Sequence, residues 1–149
     1  MENNGNNKKP LNTKHMQEKL KGDTFPEDWG EFLDDDICSF FNELIEHKGL
    51  RRSDIIRKAN IPRTYGYQIM EGRRLGKLDY YLSIALAMSL DLTTTQRMLS
   101  VARCGALHPL IKRDAAIIYA INHKYSLEKT YDFMCELGLP PLDTGSDNK

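Results

Sequence analysis

Residues 51–74 read Arg51-Arg52-Ser53-Asp54-Ile55-Ile56-Arg57-Lys58-Ala59-Asn60-Ile61-Pro62-Arg63-Thr64-Tyr65-Gly66-Tyr67-Gln68-Ile69-Met70-Glu71-Gly72-Arg73-Arg74. Ser53 suits the cap of a short helix over 54–59. Asn60-Ile61-Pro62 then makes a tight turn, and Pro62 fits the first position of a second helix over 62–72. Gly72 takes the left-handed conformation that stops it. Two short helices joined by so tight a turn cannot lie antiparallel. The second is pushed outward, as in a helix-turn-helix. On its wheel Arg63, Thr64, Tyr67, Gln68 and Glu71 share one side, while Tyr65 and Ile69 share the other with Gly66 and Met70 beside them. The outward side offers groups that read base edges: guanidinium for guanine, amide for adenine, and the Tyr67 ring for a thymine methyl.

Charge points the same way. The chain of 149 residues has as many acids as bases, 21 of each. The balance is local. Residues 1–50 hold 6 Lys and Arg against 11 Asp and Glu, residues 51–77 hold 8 against 2, and residues 78–149 hold 7 against 8. Nucleic acid responds to such a local field rather than to the total. Arg51 and Arg52 before the first helix, and Arg73, Arg74 and Lys77 after the second, are placed to hold phosphates without reading sequence.

Arg52 to Arg74, with the apolar helix after it, resembles the Cro/CI-type helix-turn-helix of phage repressors and XRE-family transcriptional regulators. The resemblance covers about residues 35–102. It rests on Ile55 and Ala59, Ile61 at the turn, Ile69, Gly72-Arg73-Arg74, and Leu82 with Ala85-Leu86. It implies base contacts from Arg63, Thr64 and Gln68 and a phosphate contact from Arg52. Gly66 stands where the family usually has a branched apolar residue, and Met70 where it often has an acid.

Outward from this segment the pattern is helical throughout, with no alternating stretch that would signal a strand. Asp34, Asp35 and Asp36 place negative charge at a helix start, and Lys48-Gly49 ends that helix. Further helices are expected over 78–90, over 93–105 from a capping box at Thr93-Thr94-Thr95-Gln96, and over 114–123 and 126–137. A 33-residue shift lays Ala87-Met88 on Ala120-Ile121, Thr93 on Ser126 and Gly105 on Gly138. Each copy closes with Leu-x-Pro, which implies two hairpins of similar plan. The polar residues 1–25 read as a flexible tail with a short helical stretch over 14–21, and 143–149 as a disordered end. The expectation is an all-α, Cro/CI-like (lambda-repressor-like) bundle over 34–105, with a C-terminal helical hairpin over 106–142.

Other classes find little support. Cys38, Cys104 and Cys135 are too dispersed for a disulfide framework, and no CxxC or HxxxH spacing suggests a metal. No metal or cofactor is expected. His47, His108 and His123 lack partners at catalytic spacing, and there is no phosphate loop or nucleophile elbow, so an enzyme is not expected. No apolar run reaches a membrane span and no signal-peptide pattern opens the chain, so a cytoplasmic protein is expected. The function expected is a transcriptional regulator, a repressor by analogy, binding double-stranded DNA as a homodimer through half-site logic. The alternative is a helix-turn-helix adaptor, antitoxin-like, docking a protein partner through the C-terminal hairpin.

Overall fold

Helix α2 (Ile37–Lys48) starts where the Asp36 carboxylate accepts the Cys38 N–H at 3.0 Å and ends at Gly49, whose φ of 66° lies in the left-handed region. In this computed structural model, which describes residues 13–27 and 36–145, the same stop recurs along the chain. A helix ends on one left-handed residue, and the next residue donates its N–H back across the last turn. This is the Schellman closure. It joins Leu50 to Ile45, Ile61 to Ile56, Leu90 to Ala85, Cys104 to Leu99, Tyr125 to Ala120 and Leu139 to Met134. The left-handed residues are Gly49, Asn60, Ser89, Arg103, Lys124 and Gly138. An apolar or weakly polar side chain after each points inward and packs on the core.

Between these stops lie α3 (Arg52–Lys58), α4 (Arg63–Met70), α5 (Leu78–Ala87), α6 (Leu92–Val101), α7 (Lys112–Asn122) and α8 (Leu127–Glu136). The described residues contain no strand, so the all-α expectation holds. The described residues from 36 onward form one compact unit, with α7 and α8 part of the same body as α3 and α4. Helix α1 (Thr13–Lys19) belongs to a separate unit, buries no residue, and occupies part of the segment expected to be a flexible tail.

Several expected boundaries move, each for a local reason. Arg51, not Ser53, caps α3, because Arg51 is the last extended residue (φ −112°, ψ 140°) and Arg52 is already helical. Pro62 sits one residue outside α4, with ψ 133°. Asp91, not the Thr93 box, caps α6: its carboxylate accepts the Thr94 N–H at 2.8 Å, and the Thr95 hydroxyl donates to its carbonyl. The internal echo survives in a different register. Asp91 answers to Ser126, Thr95 to Thr130 and Ser89 to Lys124, all 35 positions apart rather than 33. The paired Leu-x-Pro segments are therefore not equivalent. The end at 143–149, expected to be disordered, is ordered at its start, where Thr144 is buried; Asp34 and Asp35, residues 1–12 and 146–149 lie outside the described residues.

Helix α5 is the centre. Seven successive residues, Tyr80 to Leu86, are buried, and α3, α6 and α8 all pack on it. Phe41, Ile55, Ile69, Met70, Met98, Leu99, Ile117, Ile121 and Met134 complete the core around Tyr81. Ile117, Ile121 and Met134 come from α7 and α8, so the hairpin shares this core rather than having its own.

Gly66 fixes how α3 and α4 meet. A Cβ there would lie 2.7 and 2.8 Å from Cγ2 and Cγ1 of Ile56, itself 2% exposed. The missing side chain lets the helices touch closely, which offsets the roughly 1 kcal/mol of helix propensity that glycine costs. Overpacking of this kind costs about 1–3 kcal/mol. After the roughly 1 kcal/mol of helix propensity regained, Gly66→Ala should therefore lower stability by up to about 2 kcal/mol in chemical denaturation, yet be neutral or stabilising alongside Ile56→Ala, which removes the clashing atoms. Additive effects would contradict the contact.

The Asp91 cap carries a pH signature. The Thr94 backbone N–H holds this carboxyl below its ordinary value. A depressed carboxyl adds stability above the unfolded value near 4, lost as pH falls through its folded value. Asp91→Ala should cost about 1 kcal/mol at neutral pH. The gap to the parent protein should shrink on acidification to about pH 3 in pH-dependent melts, and a gap that stays constant would contradict this origin.

Candidate nucleic-acid interface

The surface begins with which side of α4 is buried. Gly66, Ile69 and Met70 face inward, and Arg63 and Thr64 are exposed with Gln68 partly so. Tyr67, expected on the outward side, is half-buried and packs against the core, with its ring 6.0 Å from the Arg63 guanidinium carbon. Its ring supports Arg63 from beneath. Tyr65 on the other flank packs its ring on that of Tyr80 of α5, tilted by 44° with centroids 4.9 Å apart.

The flanking cations fall into two sets. Arg52 donates to the Asn42 side chain on α2 and lies 4.0 Å from Glu71. Arg73 donates twice to Glu71, at 2.6 and 2.9 Å. One carboxylate thus restrains two of the five arginines and lysines expected to hold phosphate. Lys77 lies 3.6 Å from Asp143 and near the Tyr80 ring. Asp54, the other acid of the segment, is engaged by Arg57 at 3.1 Å. Among the described residues this leaves Arg51, Lys58, Arg63 and Arg74 in the segment without an ion pair. Arg74 stands over the Tyr65 ring at 4.7 Å, with a nitrogen 3.5 Å from the Gln68 oxygen. Both acids are satisfied internally, so the field projected from this face is positive.

The loop carrying Arg73, Arg74 and Lys77 is tied down from below. The Gly76 N–H donates to the Tyr81 hydroxyl at 3.0 Å, and burial of this phenol pushes its ionisation above the ordinary range. A Cβ at Gly76 would meet Ile69 at 2.8 Å, so the loop lies flat on the end of α4.

Of the expected residues, Arg52 and Arg73 meet at Glu71, Arg63 lies over Tyr67, and Arg74 reaches Gln68, while Lys77 lies near Tyr80; Arg51 precedes α3 and Thr64 is exposed on α4. Sequence reasoning missed three partners. Glu71 was visible as one of two acids in a basic segment. Asn42, ten residues from Arg52, and Asp143, far along the chain, gave no local signal. Among the described residues no three His, Cys, Asp or Glu side chains group as metal ligands, and no helix is long and apolar enough to cross a membrane. What the fold and surface define is a class: described residues that are helical without strands, with a short helix after a tight turn, Arg63 on its exposed side and basic residues flanking it. No protein-family model, curated protein or solved structure matches the chain.

Proposed function

We propose that this protein is a sequence-specific regulator of transcription in the cytoplasm, laying α4 in the major groove of duplex DNA. The observation that carries the reading is the pairing of faces on α4. Gly66, Ile69 and Met70 lock one side into the core, while Arg63 and Thr64 stand outward with Gln68 partly so, flanked by Arg51 and Arg74, which carry no ion pair among the described residues, and by Arg52, Arg73 and Lys77, which do. The resemblance to Cro/CI-type regulators supports the same placement. Arg63 and Gln68 read bases, Thr64 assists, and Tyr67 shapes the face from below. Arg51 and Arg74 hold phosphate directly, and Arg52, Arg73 and Lys77 do so on release from their acids. A single such module buries little surface, so the operator is read by a homodimer on two half-sites.

A second reading has its own observation. The hairpin exposes Tyr119 (44%), Tyr131 (51%) and Leu137 (53%), and Leu110 before it is 87% exposed. These fit an adaptor that docks a protein. One stoichiometric protein partner, with no DNA footprint, would favour it.

Selection from a random duplex library tests the first reading. The expected result is a motif with inverted half-sites about one helical turn apart. No enrichment would reject it. On the selected site, Arg63→Ala or Gln68→Ala should each cost about 1–3 kcal/mol and relax the motif. Arg51→Ala should weaken all sequences alike and make the salt dependence shallower by about one charge. Interchanged behaviour of these variants would show that the reading face is misassigned.

A further inference from the structure

We infer that residues 139–145 form a strap that competes with DNA for one edge of the proposed interface, Asp143 standing where a phosphate would meet Lys77. The inference rests on the DNA-binding reading. The strap is built rather than merely adjacent. Arg113 of α7 makes a two-pronged pair with Asp79 at the start of α5, at 3.1 and 2.9 Å. The same guanidinium donates to the carbonyls of Pro140 and Pro141, both at 3.0 Å. Asp79 in turn accepts the Asp143 N–H at 2.8 Å. Leu139 and Leu142 pack on the core and Thr144 is 7% exposed.

This fastening brings the strap to the end of α5 that follows the Arg73–Arg74 loop. A Cβ at Gly145 would lie 2.7 Å from the Tyr80 hydroxyl, and Tyr80 is the ring that Tyr65 of α4 packs on. Asp143 turns back on itself, accepting the Gly145 N–H at 3.1 Å, and its second oxygen meets Lys77 at 3.6 Å. The first turn of a helix attracts anions. At α5 that place is taken by Asp79 and the strap, and the cation beside it is taken by Asp143. A DNA phosphate reaching this edge must displace the Asp143 carboxylate.

The Lys77–Asp143 pair is exposed, 64% and 69%, so it is weak and exchangeable with a phosphate. That suits a competitor rather than a structural bond. The anchor of the strap, Arg113 with Asp79, is three-quarters or more buried and stays in place.

The test measures binding of the full chain to a 20-base-pair random-sequence duplex across a salt series. The variants are Asp143→Asn, Lys77→Ala and their double. Asparagine retains the strap's backbone bond to Asp79 and an oxygen for Gly145. Asp132→Asn on α8 controls for removing one negative charge anywhere. Asp143→Asn should bind about two- to fivefold tighter than the parent, beyond the control, with a salt dependence steeper by up to about one charge. Beside Lys77→Ala its gain should fall to that of the control. An unchanged affinity, or an equal gain without Lys77, would overturn the strap inference alone. Absence of binding by every variant at low salt would overturn the DNA-binding reading and this inference with it.

Discussion

The close contact of α3 and α4 at Gly66 and Ile56 sets the orientation on which the surface depends. Because Gly66 has no side chain, Ile56 lies directly against the α4 backbone, and the turn at Asn60 needs only one left-handed residue to redirect the chain. That leaves one orientation in which Ile69 and Met70 reach the core around Tyr81. In it Arg63, Thr64 and Gln68 have nowhere to go but outward. A bulkier residue at 66 would separate the helices and rotate the outward face. Glycine is thus the element of specificity in a segment whose helix propensity it weakens.

The surrounding helices follow from a second economy, the repeated stop. A left-handed residue and an inward-pointing successor end α2, α3, α5, α6, α7 and α8 alike. Only Gly49 and Gly138 among these six are glycines, so the device rests mainly on residues such as Asn60, Ser89, Arg103 and Lys124 held by the backbone bond. Left-handed backbone is costly for a branched or bulky residue and least so for a short polar one, which explains Asn and Ser but leaves Arg103 and Lys124 dependent on their surroundings.

What was legible in the sequence follows the range of the forces. Periodicity revealed the helices and the tight turn, because side-chain burial repeats over a few residues. The buried and exposed sides of α4 were readable for the same reason, save Tyr67, whose ring is large enough to sit on the boundary. The cap of α6 was misplaced by two residues because Thr93, Thr94 and Thr95 offer hydroxyls that look like caps, while the Asp91 carboxylate is the better acceptor. The 35-residue register was missed because matching apolar side chains says less than matching left-handed turns, and Arg103 and Lys124 do not look like turn residues. Nothing local told that Arg113 would meet Asp79, 34 positions away, or that Asp143 would meet Lys77. The fate of surface charges is set by the finished fold, so the phosphate-binding set could be gathered from sequence but not sorted into free and engaged members.

The account turns on one surface being the one that meets DNA, and it needs no knowledge of the operator to be examined. The direct measurement is the change in backbone amide resonances when the full chain is titrated with a short random-sequence duplex at low salt. The account predicts shifts gathered on residues 51–54, 61–68 and 72–77, with the hairpin helices silent. Shifts gathered on the exposed aromatic side chains of α7 and α8, or none at all, would contradict it.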